Sequence, residues 1–216
     1  MQWHWPILAT MTVGLLSVPA SADDPGSRDI AREIIAELNF ARTNPSAYAQ
    51  RLRSYRELYR GRIVRRPGET ENLMTKEGAA AVDEAIAFLV RQAPLPPLVA
   101  DKALTRAARD HVRDQGPGGM TGHIGSDGST PSDRVRRYGL WRHALAEDLA
   151  YGPATAVDVV RELIIDDGVR DRGHRKAIFL AVLRAAGVAC GFHTAYGTMC
   201  AIDFADGMDP RPFSTD

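Results

Sequence analysis

An excess of charge of either sign is absent: 27 Lys and Arg stand against 27 Asp and Glu in 216 residues. Phosphate binding needs surplus cations, so this balance excludes a basic, nucleic-acid-binding protein and leaves room only for a local basic patch. Cysteine is scarce too, and two residues cannot make the disulfide framework of a miniprotein. Aromatics reach only 7%, and no internal repeat or low-complexity tract is present. Yet 44% of residues are hydrophobic and 25% charged, which excludes disordered and collagen-like chains and suits one soluble domain with a sizeable core. Beyond residue 22 no apolar stretch approaches the length of a membrane span, so no stable span is expected.

The first 22 residues contain no Asp, Glu, Lys or Arg. An apolar run from Ile7 to Val18 leads to Ala20-Ser21-Ala22, a small-x-small pattern just before Asp23-Asp24. This is the pattern of a secretory signal peptide over 1–22, cleaved after Ala22. The competing reading is an uncleaved anchor, for which the run is short. No cysteine precedes position 190, which excludes a lipid-modified cysteine behind the signal. The expected mature chain is a single domain over 23–216, secreted or periplasmic.

Cys190 and Cys200 suit that compartment. If the chain turns over at Thr194–Tyr196, residues whose numbers sum to 390 face each other, and this pair obeys the rule. An oxidising environment then favours a hairpin-spanning disulfide; two reduced, buried thiols are the alternative.

Helical spacing dominates the first three-quarters of the chain. Ser27 caps an expected helix carrying Ile30, Ile34, Ile35 and Leu38, and Asn44-Pro45 opens a second one. Residues 60–74 are polar and contain Pro67-Gly68, which predicts an exposed loop before a third helix from Thr75 to about Arg91. A fourth helix is expected from Asp101 to Asp114, followed by the glycine-rich stretch 116–128. Thr130-Pro131-Ser132-Asp133 and Thr155-Ala156-Val157-Asp158 resemble capping boxes, the second opening a helix through Asp167 that Gly168 stops. Ala185–Phe192 and Thr198–Phe204 are β-rich and form the expected hairpin. Helices first and strands last make the fold class α+β.

Six histidines carry different expectations. His4 leaves with the signal, His111 sits mid-helix as a structural group, and His143 and His193 suit solvated or structural roles. His123 and His174 each follow a glycine, which lets the backbone approach a ligand closely. Glu147, in Ala146-Glu147-Asp148-Leu149, and Asp166 with Asp167 are natural companions, because a carboxylate beside an imidazole fixes its tautomer and raises its basicity. The alternative for Asp166 and Asp167 is a solvated ion-pair cluster with Arg170, Arg172 and Arg175.

In this order, Gly-His-Ile-Gly-Ser-Asp-Gly-Ser-Thr-Pro (122–131), Ala-Glu-Asp-Leu-Ala-Tyr-Gly (146–152), Arg-Gly-His-Arg (172–175) and Ala-Gly-Val-Ala-Cys-Gly (186–191) resemble the CAP superfamily. That superfamily comprises secreted domains of cysteine-rich secretory proteins, antigen 5 and pathogenesis-related 1 proteins, and bacterial relatives. Leu38-Asn39-Phe40-Ala41-Arg42 matches its first-helix pattern, and Pro97-Leu98 with Leu104, Ala107 and His111 matches the approach to its second. The resemblance implies an α-β-α sandwich, a small antiparallel sheet between helical layers; residues around 53–94 are longer than the family's usual opening segment and are expected to form an insertion. It also implies a cleft with two His and two acids, which fall here on His123, His174, Glu147 and Asp166. Asp166 stands where the family usually has Glu, and Asp167 is the alternative.

Three functions follow from that resemblance. The first is a binding module for a lipid or sterol-like ligand, a divalent metal such as zinc, or both, with His123 and His174 on the metal and Glu147 and Asp166 as supporting acids. The second is a metal-assisted hydrolase, peptidase or esterase, using His123, Glu147, Asp166 and His174 as catalytic candidates, with Glu147 as general base. No Gly-x-Ser-x-Gly elbow supports a serine nucleophile; Ser126 sits in Gly125-Ser126-Asp127-Gly128 instead. The third is a buried polar network that rigidifies the glycine loops without acting on a substrate.

Overall fold

Ile34, Leu38 and Ala41 recur at three- and four-residue intervals, and all three are fully buried on one face of helix α1 (Pro25–Thr43). The computed structural model describes residues 25–68 and 72–210, so the signal segment expected over 1–22 lies outside the described residues. Helix α1 begins two residues before Ser27, which therefore sits in the first turn and not at the cap. Asn44 follows it and Pro45 opens α2 (Pro45–Arg56), as the proline at a first helical position predicts.

The expected loop at 60–74 is in part a small sheet. Strands β1 (Tyr59–Arg60), β2 (Ile63–Val64) and β3 (Leu73–Met74) pair antiparallel in that order. Gly61, at φ 64°, takes the tight turn that lets Tyr59 face Val64, and both of those side chains are buried. Polar composition hid two apolar anchors. Helix α3 (Ala79–Arg91) then buries Val82, Ala85 and Leu89 against α2 and α6.

After the extended Pro94–Leu98 segment come β4 (Val99–Ala100) and α4 (Lys102–Gly118), the latter capped by the Asp101 side chain on the amides of Ala103 and Leu104. Helix α4 runs four residues beyond the expected end at Asp114, because its last turn packs beneath the terminal hairpin: a Cβ on Gly116 would lie 2.2 Å from the Phe192 carbonyl oxygen. Next are α5 (Pro131–Arg136), with the complete Thr130–Asp133 capping box, β5 (Gly139–Leu140) and β6 (Leu145–Tyr151). Helices α6 (Ala156–Ile165) and α7 (Gly173–Ile178) precede the hairpin β7 (Ala185–His193) and β8 (Gly197–Ala205), and β9 (Asp209–Pro210) pairs with β5.

The main sheet has the order β4-β7-β8-β6. It is antiparallel except at β4, whose two residues run parallel to β7. Even-numbered residues Val188, Cys190, Ile202 and Phe204 face α1 and α6 in the largest core cluster. Odd-numbered Ala189, Met199 and Ala201 face Ala108 and Val112 of α4. Helices on both faces make an α-β-α sandwich, the expected class. Gly187 marks the closest approach of its layers, since a Cβ there would lie 2.0 Å from the Thr105 nitrogen. Cys190 faces Cys200 with Cα atoms 4.1 Å apart and the disulfide is formed, in the register where paired numbers sum to 390.

Candidate functional site

The glycine-rich segment after α4 is held at Gly122, whose φ of 98° favours glycine. Its carbonyl accepts from His111 Nε2 at 2.9 Å and Gln115 Nε2 at 2.7 Å, and its N–H donates to the Tyr151 hydroxyl at 2.9 Å. The next residue, His123, is thereby delivered to β6, where its Nδ1 lies 2.9 Å from Glu147 Oε1. The imidazole is 48% exposed and the carboxylate 1%.

Glu147 is also bound from behind. Arg134, buried on α5, donates to Glu147 Oε2 at 2.6 Å, to the Ser129 carbonyl at 2.9 Å and to the His123 carbonyl at 3.1 Å. Burial pushes the Glu147 carboxyl up, but His123 and Arg134 outweigh it and hold the group below the usual carboxylate range. Asp203 sits directly opposite Glu147 in the β6–β8 register. Burial, then the Glu147 charge, pushes it well above the usual range. Among the described residues neither of its oxygens has a hydrogen-bond donor. Asp148 points to the opposite face of the sheet, fully buried, and is raised by burial and then by the charges of Asp166 and Glu147. His111 is held below its ordinary value by burial and stays neutral, as a structural histidine.

The second pair forms at the end of α6. Asp166 adopts the left-handed conformation, φ 60°, and caps the helix, which ends at Ile165, two residues before the expected Asp167. Its Oδ1 lies 2.7 Å from His174 Nδ1, and its Oδ2 accepts from the backbone N–H groups of His174 and Arg175. Asp166, not Asp167, therefore meets the histidine. Asp167 instead accepts from the amides of Lys76 and Glu77 at 2.6 and 2.7 Å. In place of the alternative ion-pair cluster of Asp166 and Asp167 with Arg170, Arg172 and Arg175, Arg172 and Arg175 pair with Glu77 and Glu84.

The two histidine–acid pairs open on different cavities. His174 and Asp166 line one of about 350 Å³, walled by Tyr55, Tyr59, Leu73, Leu149 and Leu163. Glu162 lines it too, one helical turn before Asp166, and burial lifts its carboxyl to about 7 despite Arg66 and Arg161 nearby. His123 and Glu147 line a second, more open cavity of about 510 Å³ with Trp141 and His143. Residues 145–147 of β6 border one cavity and residues 149–151 the other, and a strand advances about 3.3 Å per residue.

A metal held by His123 and His174 together does not fit this arrangement. Each Nδ1 is taken by a carboxylate, and both Glu147 oxygens are engaged. Among the described residues no three His, Cys, Asp or Glu side chains are grouped to hold a metal ion. Ser126 is no nucleophile paired with histidine, since its hydroxyl and amide both bind Asp114. Sequence reading missed Arg134 and Asp203. Arg134 is concealed in the run Asp133-Arg134-Val135-Arg136-Arg137, whereas Asp203, an acid between Ile202 and Phe204 in a strand, carried a visible signal.

A search of curated proteins found no match. Similar solved structures include an outer surface protein of Borrelia burgdorferi, with TM-score 0.44 and 20% identity over 54% of this chain and 80% of that one. Another is an extracellular protein containing an SCP domain from Bacillus anthracis, with TM-score 0.41 and 18% identity over 59% of this chain and 37% of that one. The family model described as CAP, the cysteine-rich secretory protein family, matches residues 41–204. That stretch holds both histidine–acid pairs, the sheet and the disulfide, and the chain belongs to the CAP family.

Proposed function

We propose that this protein is an exported binding module that holds a lipid or sterol-like amphiphile in the cavity beside His174. The observation that carries the reading is the lining of that 350 Å³ space. Leucine, isoleucine and tyrosine side chains form much of its wall, and Thr75, Lys76, Glu162, Asp166, Asp167 and His174 supply polar groups. Small-molecule sites are commonly apolar concavities of this size with a few polar groups that fix orientation. Leu73 and Met74 stand partly exposed at its rim, apolar surface that a hydrophobic ligand covers. Export rests on the signal-like segment over 1–22 and on the disulfide.

Hydrolysis is the weaker reading, because Glu147 is a poor general base. Its two oxygens are committed to His123 and Arg134, and these contacts hold its carboxyl below the usual range, which weakens it as a proton acceptor. The test is mass spectrometry of organic extracts from purified protein, followed by titration of a fluorescent fatty acid and a fluorescent sterol. Met74→Glu should weaken binding about tenfold, the equivalent of losing about 1.4 kcal/mol of apolar contact at an exposed position. Empty extracts together with no saturable binding by the native protein overturn the reading.

A further inference from the structure

From the end of α3 into β4 the chain reads Arg91-Gln92-Ala93-Pro94-Leu95-Pro96-Pro97-Leu98-Val99. Each proline fixes φ at about −65°, and the residue before each is biased to extended backbone, so this composition favours a polyproline II strand. Gln92, which caps α3, already has φ −72° and ψ 121°. A polyproline II strand repeats every three residues and so presents three ridges. One ridge is turned to the body: Leu98 is buried, and Leu95 is half-buried against the main core. The Leu95 N–H donates to the Arg42 carbonyl at 2.8 Å, the Leu98 N–H donates to Asn39 Oδ1 at 2.7 Å, and Arg42 Nε donates to the Pro96 carbonyl at 3.2 Å. The other two ridges, Pro94 with Pro97 and Ala93 with Pro96, are exposed, and Val99 beyond them is 68% exposed. Arg91 stands three residues before Pro94, exposed and with no ion pair among the described residues.

We propose that residues 91–97 are a docking surface for a partner protein whose groove is lined by aromatic rings and carries a carboxylate at one end. Segments with prolines at i and i+3 dock in such grooves because their strand is ordered before binding. Pro94 and Pro97 hold that spacing, and the side chains a groove would grip, Ala93, Pro94, Pro96 and Pro97, are the exposed ones, while the leucines between them hold the strand to α1. Anchoring through Asn39 and Arg42 removes the ordering cost that a free proline-rich peptide meets on binding. Arg91 supplies the charge that selects an acidic groove and sets the direction in which the strand lies in it. No residue of the segment lines the cavity beside His174, so this surface is independent of the amphiphile proposed there.

The probe is an isotope-labelled SH3 domain of the class that takes Arg-x-x-Pro-x-x-Pro peptides, titrated with the full chain and read by NMR. Saturable shifts are expected in the aromatic groove of the probe. The affinity should fall about tenfold or more in Arg91→Glu, and likewise in the double variant Pro94→Ala with Pro97→Ala, and stay at the native value in Met74→Glu. Because Arg91 is exposed at a helix end, Arg91→Glu should keep the native melting temperature, so it decides the matter even if the proline variant loosens the segment. Sedimentation velocity of the chain alone examines the other occupant, a second copy, and no self-association through this surface is expected. No saturable shift with the native chain, unchanged affinity in Arg91→Glu, or self-association that Arg91→Glu abolishes overturns the proposal.

Discussion

At the residue scale the most consequential group is Arg134, which joins three segments that sequence separates. It neutralises the buried Glu147 and satisfies two carbonyls of the glycine-rich stretch. Its removal leaves a carboxylate and two acceptors stranded in the interior. Arg134→Ala should therefore cost about 3–5 kcal/mol in denaturant unfolding, the usual penalty for breaking a buried pair from one side. A loss below about 1 kcal/mol would show that Glu147 is solvated or protonated instead. Arg42, from the motif matched in α1, works likewise: it is fully buried and donates to the carbonyls of Ile178, Leu183 and Pro96, tying α1 to the chain before β7. Neither arginine's partners were legible beforehand, because each reaches backbone carbonyls or acids delivered by other elements.

At the scale of elements, two contacts decide how the layers meet. Helix α4 rests on β7 at Gly187, where no side chain fits. Gly187→Ala must lift the helix from the sheet and should destabilise by about 3 kcal/mol or more, at the upper end for overpacking. The other contact is the clamp between residues 76–84 and the loop from Asp166 to Arg175. Arg172 donates to both Glu77 and Glu84, Asp167 accepts two amides, and the Gly168 amide donates to Glu77. This clamp makes the 59–91 segment a wall of the His174 cavity. In Arg172→Ala, amides of residues 59–91 should exchange hydrogen faster while those of β7 and β8 keep their protection. Uniform acceleration would mean that the segment is integral to the global unfolding unit and not separately docked.

For the whole molecule, the buried acids and the clamp set opposing pH dependences. Glu77 is held near 2, chiefly by Arg172, so its contribution is present above about 4.5 and is lost as pH falls toward 2. Its side chain is more than a third exposed, which keeps that contribution modest. Asp148 and Asp203 act oppositely. Both are raised by burial, so the folded protein holds protons that the unfolded chain releases above about pH 4, and stability declines as pH rises from there. The melting temperature should peak at roughly pH 4–5, and Asp148→Asn should flatten the decline on the neutral side. A melting temperature that climbs steadily from pH 5 to 8 would show that these acids are ionised in the fold. Reducing Cys190–Cys200 should cost about 2–3 kcal/mol, since the loop it closes is short.

Sequence alone determined the features that depend on near neighbours along the chain. Helical spacing in α1, the proline at the start of α2, the Thr130–Asp133 box and the hairpin register that opposes Cys190 to Cys200 are all interactions within a dozen residues. The identities of His123, Glu147, His174 and Asp166 as two histidine–acid pairs were legible from ordered motifs. Tertiary structure decided what those motifs do together. Strand β6 went unanticipated because both Glu147 and Asp148 interrupt its apolar pattern; Arg134, on another element, compensates Glu147, and burial pushes Asp148 up. Which cavity each histidine lines depends on position along β6 and on walls that include Tyr55, Tyr59, Leu73 and Trp141. Spacing in a sequence carries no measure of those distances, since they are set by how helices seat on the two faces of the sheet.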